Sequence, residues 1–133
     1  MIGLDTNVLL RIFAQDDPVQ SRQARALTQT GLSVDEPGYV NLVVLAEFAW
    51  TLAKAYRFSK HEITSAIDAL LNTAEIALQR EEAVAAALSL CENANLDFVD
   101  ALIAAINRED GCRETLTFDV RFARSNAAKL LGQ

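Results

Sequence analysis

The sequence is poor in the residues that mark several protein classes. It holds two cysteines, Cys91 and Cys112, which lie far apart and lack the short spacing of metal ligands. They read as reduced thiols of a cytosolic protein rather than as a disulfide. Two prolines in 133 residues, with 51% hydrophobic residues, exclude a disordered chain. No apolar run approaches the roughly 20 residues that span a bilayer, so no membrane segment is expected. The start, Met1-Ile2-Gly3-Leu4-Asp5, has neither the basic region nor the apolar core of a signal peptide, and the expected location is cytoplasmic. Histidine occurs once. His61 stands beside a helix cap and reads as a surface residue, neither zinc ligand nor catalytic base. Positive charge is also short: 12 Lys and Arg face 18 Asp and Glu, for a net charge of −6. A protein that holds nucleic acid by charge alone should be basic. Any work on nucleic acid would need something, such as a bound divalent cation, to offset the carboxylates locally.

What is present fits one domain, spanning residues 1–133, with a core of useful size. Ala and Leu dominate, so helix content should be high. Ile2-Gly3-Leu4 reads as a short buried strand, followed at helical spacing by Val8, Leu9, Ile12 and Phe13. Asp17-Pro18-Val19-Gln20 starts a helix, with Asp as N-cap and Pro in the first position, and Gly31 ends it. A second strand is expected near Gly38 to Asn41, then a long apolar helix from Leu42 to about Tyr56. Ser59-Lys60-His61-Glu62 is a capping box, with Ile63, Ile67, Leu70 and Leu71 on one face behind it. Glu75 to Leu78 reads as a strand, Glu81 to about Asn93 as a helix, and Phe98 to Glu109 as another that Gly111 stops. Thr115 to Phe118 has high β-propensity. A short helix near Arg121 to Ser125 and a weak strand near Lys129 to Leu131 complete the chain. Alternation of strands and helices gives an α/β domain with a mostly parallel sheet. Sites in such sheets form beyond the carboxyl ends of the strands.

Acids stand at those places. Asp5 follows the first strand, and Asp119 follows Thr115 to Phe118. Each also suits the bland role of capping the next helix. Glu47 is the one charged residue between Glu36 and Lys54. Apolar residues flank it on nearly all sides, so it is expected to be partly buried, which is costly for an unpaired carboxylate. Asp97 and Asp100 share one face at a helix start, where they either cap the helix and favour its dipole or face a ligand. Gathered at one sheet edge, such acids repel and would raise one another's pKa unless a cation sat among them. Oxygen ligands without His or Cys suit Mg²⁺ or Mn²⁺.

Four pieces in order carry a family resemblance: Leu4-Asp5-Thr6-Asn7-Val8-Leu9-Leu10, Val44-Leu45-Ala46-Glu47, Asp97-Phe98-Val99-Asp100-Ala101-Leu102-Ile103-Ala104-Ala105, and Thr117-Phe118-Asp119. The chain resembles PIN-domain ribonucleases over essentially its whole length, and most closely VapC-type toxins of bacterial toxin–antitoxin pairs. The resemblance implies a central parallel sheet of four to five strands flanked by helices, with the first strand central. It implies an acidic quartet of Asp5, Glu47, Asp100 and Asp119, with Asp97 as an additional acid and Thr6, Asn7 and Thr117 in support. It further implies Mg²⁺ or Mn²⁺ on Asp5, Asp100 and Asp119, hydrolysis of RNA by activated water, and products with 5′-phosphate and 3′-hydroxyl ends. A cognate antitoxin protein and a homodimer are implied as partners. Surplus apolar residues on the helices around Val43 to Leu52 and Ile63 to Leu71 also point to a dimer contact. Arg11, Lys54, Arg57, Lys60, Arg121 and Arg124 are candidate phosphate contacts, each otherwise an ordinary solvated charge.

Two other readings compete. Asp5 after a strand resembles the phosphoryl acceptor of haloacid-dehalogenase-like phosphatases, but Asn7 stands where that chemistry places a second Asp. A non-catalytic module could use the acids to accept an Arg-rich partner or a structural ion, although a decayed site usually loses at least one of them.

Overall fold

The computed structural model describes residues 1–14 and 16–132. The chain forms two compact units, Met1–Glu81 and Glu82–Gln133.

The first unit is built on a parallel sheet in the order β1-β2-β3, with β1 at Ile2–Gly3, β2 at Gly38–Val40 and β3 at Ile76–Leu78. Parallel strands need crossovers, and helices supply them. β1 leads into α1 (Thr6–Phe13), α2 (Pro18–Ala26) and a π-helical turn at Leu27–Gly31. β2 leads into α3 (Leu42–Lys54) and α4 (Lys60–Leu71). The local signals act as expected. The Asp17 side chain accepts from Gln20 N, and Ser59 and Glu62 close a capping box. Gly31 does end the second helix, but through a π turn in which Leu32 N donates to Leu27 O. β2 comes close to its neighbours because residue 38 is glycine: a Cβ there would stand 2.7 Å from Leu4 Cδ1 and 3.0 Å from Leu32 Cδ1.

The core of this unit contains Leu9, Val40, Leu45, Phe48, Leu52 and Ile67, each at most 1% exposed. Burial of one such side chain stabilises by about 1.5–3 kcal/mol. Phe13 meets Phe48 edge to face, with ring centroids 5.5 Å apart. α1 packs on both α2 and α3, which brings the start of α1 to the flank of α3.

The second unit contains α5 (Glu81–Ala94) from Glu82 onward, α6 (Phe98–Glu109), β4 (Leu116–Thr117), α7 (Val120–Arg124) and β5 (Lys129–Leu130). Gly111 ends α6 as expected, at φ 91°. β4 pairs with β5 in parallel, Leu116 with Lys129 and Thr117 with Leu130. The final strand expected from the sequence is therefore present, but the sheet of four to five strands is not. Among the described residues the strands divide into a three-stranded and a two-stranded sheet. Two-residue strands offer few ladder bonds, and those of β4 and β5 go to each other. β2, not β1, is the middle strand of the larger sheet.

Candidate active site

In the first unit, Asp5 leaves β1 at the carboxyl edge of the sheet and occupies the N-cap of α1. Its Oδ1 accepts from Thr6 N at 2.8 Å, and the residue is exposed. Thr6 is buried, at 4% exposure. Its backbone thus binds Asp5, while its hydroxyl donates to Glu47 Oε1 on α3. One buried threonine therefore fixes two carboxylates from different elements.

Glu47 is exposed, contrary to the burial its apolar neighbours suggested. The reason lies in the helix phase. α3 buries Leu45, Phe48, Ala49 and Leu52, while Val43, Glu47, Trp50 and Lys54 form its exposed stripe. Hydrophobic neighbours in sequence therefore did not mean hydrophobic surroundings: Val43 is 78% and Trp50 59% exposed.

Two further polar residues at this edge support α3. Asn41, after β2, caps the helix by accepting from Val44 N at 2.9 Å. Gln79, after β3, accepts from Leu42 N at 2.9 Å through Oε1. Sequence reasoning missed both. Asn before an apolar helix is an N-cap signal that could have found the first, whereas the second depends on β2–β3 pairing. Asn7 is exposed and lines a cleft of about 340 Å³ with Val8, Arg11, Gln20, Gln23, Ala24 and Leu27.

In the second unit, Asp97 takes the N-cap position of α6, but its side chain makes no capping bond. Asp100 is half-buried in the first turn of that helix, where a carboxylate suits the helix dipole. Asp119 follows β4, and its Oδ1 caps α7 through Arg121 N at 2.9 Å and Phe122 N at 3.3 Å. Thr117 Oγ1 accepts from Asp119 N at 2.9 Å. A cleft of about 560 Å³ in this unit involves none of these acids. It lies by the other end of α6, at Ala104, Ala105, Arg108 and Glu109, where small side chains leave space.

The candidate phosphate contacts differ in how they are held. Arg11 is bound into a network: Nε donates to Gln20 Oε1 at 2.7 Å, and Nη1 donates to Asp16 Oδ1 at 3.0 Å and Tyr56 Oη at 3.2 Å. The Tyr56 hydroxyl, then the Asp16 charge, hold its pKa above the ordinary arginine value. Lys54, Arg57 and Arg121 are exposed, Arg57 at a positive φ of 57° in the turn after α3. Arg124 ends α7 and Lys60 begins α4, both exposed.

The donor set is chemically suited to a hard divalent cation, being carboxylate oxygen throughout. Among the described residues, no three His, Cys, Asp or Glu side chains are grouped as they would be around a metal ion. Cys91 is half-buried and Cys112 exposed, both as thiols. No helix among the described residues is long and apolar enough to cross a membrane.

At the carboxyl edge of a parallel sheet, an aspartate is thus tied through a threonine to a glutamate on the crossover helix. The PIN domain family model matches residues 2–127, through both units, and the chain belongs to that family. PIN domains are generally nucleases, hydrolases that typically use divalent metal ions. No curated protein matches the chain.

Proposed function

We propose that this protein is a metal-dependent endoribonuclease that serves as the toxin of a toxin–antitoxin pair. The observation that carries the reading is the Asp5–Thr6–Glu47 arrangement. Two exposed carboxylates are held on one buried threonine at the carboxyl edge of a parallel sheet. Membership of a family of nucleases supports it. Asp5, Glu47, Asp100 and Asp119 are the catalytic acids of this proposal. Asp97 is an additional acid, and Thr6, Asn7 and Thr117 are supporting residues.

Asp5, Asp100 and Asp119 would hold Mg²⁺ or Mn²⁺, whose chemistry when bound is to acidify water and neutralise charge on the scissile phosphate. The residues' own part is orientation. Thr6 fixes Oδ1 of Asp5 and Oε1 of Glu47, so the remaining oxygen of each is presented in a set direction. The first N–H groups of α7 fix Oδ1 of Asp119 in the same way, and Thr117 holds the Asp119 backbone N–H. Lys54, Arg57 and Arg121 are exposed cations able to meet backbone phosphates.

As partners we propose a cognate antitoxin and a second copy of the chain. A basic side chain of the antitoxin, preferably Arg for its planar fork, would pair with the acids in place of metal. The proposed location is the cytoplasm. Incubation of purified protein with end-labelled RNA tests the function. Internal cleavage in Mg²⁺ or Mn²⁺ that chelator abolishes, giving 5′-phosphate and 3′-hydroxyl ends, is the expected result. Intact RNA under every metal condition overturns it.

A further inference from the structure

The chain's aromatic residues divide sharply by exposure. Phe48, Phe98 and Phe122 are buried, and Phe13, Tyr39, Tyr56 and Phe58 are half-buried. Only Trp50 and Phe118 are exposed, at 59% and 78%. Both adjoin proposed catalytic acids: Trp50 lies three residues after Glu47 on α3, and Phe118 directly precedes Asp119. An indole left in water forfeits a large hydrophobic gain. Its place on the face that carries Glu47 calls for a reason.

We propose that Trp50 is a stacking platform for a base of a single-stranded RNA substrate, with Lys54 meeting the backbone beside it. The proposal rests on the nuclease reading and names how that site grips its substrate. Glu47, Trp50 and Lys54 fall on one line of α3. The indole stands about 4.5 Å along the helix axis from Glu47, and Lys54 about 6 Å further. Acid, aromatic plane and cation thus follow one another along a single exposed stripe. The order suits a strand whose phosphate is cut at the acid while a neighbouring base lies on the indole.

The charge balance gives the platform its purpose. With a net charge of −6, the chain has little electrostatic hold on a polyanion. Stacking supplies affinity that does not depend on charge and tolerates any base. Duplex RNA keeps its bases stacked inside the helix and cannot use the indole, so the platform selects single strands. A protein surface is the poorer occupant of this stripe. To cover Val43 and Trp50 it would also cover Glu47, which lies between them, and would have to bring a cation to pair with that carboxylate.

Trp50 is the sole tryptophan, so indole emission reports on this residue alone. The full-length Asp5→Asn protein, which should not cleave, is titrated in Mg²⁺ with a short mixed-sequence RNA, single-stranded or annealed to its complement. Binding is followed in parallel by anisotropy of a label on the strand. Saturable quenching by the single strand and none by the duplex is expected. In the otherwise wild-type enzyme, Trp50→Ala should raise KM about tenfold and leave kcat within about twofold, with Trp50→Phe restoring most of the loss. Three results overturn the proposal while cleavage by the wild type upholds the nuclease reading. They are RNA binding with unchanged emission, a wild-type KM for Trp50→Ala, or emission that shifts with protein concentration in the absence of RNA. The last would show that a second copy covers the indole. Failure of the wild type both to bind and to cleave RNA overturns the two readings together.

Discussion

The hydroxyl of Thr6 donates to Oε1 of Glu47, 41 residues further along the chain. This bond joins the first turn of α1 to the middle of α3. Because the backbone N–H of Thr6 also holds Asp5, a single residue sets the directions of two acids.

Thr6→Val keeps the shape and removes the donor. Loss of one such bond should cost about 1 kcal/mol of stability. The cost to function should be larger, because Glu47 then swings freely. A fall in RNA cleavage of about ten- to hundredfold is expected, as for other residues that orient metal-site carboxylates. Thr6→Ser should recover most of the rate. Thermal melts beside cleavage kinetics check this, and a Thr6→Val enzyme with normal turnover would detach Glu47 from the reaction.

Asp119 has a structural role as the cap of α7, and the structural and catalytic roles can be separated. Asn caps helices about as well as Asp, whereas Ala costs about 1 kcal/mol. Asp119→Asn should therefore melt near the wild type yet lose orders of magnitude in cleavage. Asp119→Ala should lose both. Equal activity for wild type and Asp119→Asn would leave Asp119 as a cap alone.

Metal binding should appear in stability as well as activity. A cation that binds the folded state and not the unfolded one raises the melting temperature with concentration. Mg²⁺ should thus stabilise the wild type and have much less effect on Asp100→Asn. Identical metal-dependent shifts in both proteins would remove Asp100 from the ligands.

The capping box of α4 makes a prediction away from the site. The Ser59 backbone amide, at 2.9 Å, and then its hydroxyl hold the Glu62 carboxyl below its ordinary pKa. A carboxyl with a lowered folded-state pKa adds stability above its unfolded value and loses it as pH falls through the folded one. Wild type should therefore melt above Glu62→Gln at neutral pH, and the gap should close in acid below about pH 4. Ser59→Ala should cost about 1 kcal/mol at neutral pH. A gap independent of pH would show that charge at Glu62 contributes nothing.

The parts of this fold legible in the sequence are those specified locally. Asp17-Pro18, Ser59 to Glu62 and Gly111 mark helix ends because caps and left-handed turns are settled within a few residues. The acids at Asp5 and Asp119 could be placed at strand ends for the same reason. What required the folded chain was side-chain phase and partnership. Glu47 reads as buried because α3 is apolar on most sides, and only packing on α1 and α4 decides which stripe stays in water. α4 shows the opposite outcome. Its apolar residues Ile63, Ile67 and Leu70 are buried, and Leu71 is half-buried. Arg11 reads as a solvated charge until Asp16, Gln20 and Tyr56 are brought around it. The pairing of β4 with β5 alone is likewise a choice among partners that short strands do not announce.

The most direct measurement compares RNA cleavage by wild-type and Asp5→Asn protein in Mg²⁺ or Mn²⁺, with chelator as control. The substitution preserves shape and the capacity to cap α1 while removing one carboxylate charge. The expected result is metal-dependent cleavage by the wild type and a loss of orders of magnitude in the variant, with an unchanged fold by circular dichroism. Cleavage at the wild-type rate by Asp5→Asn would contradict the assignment of the site.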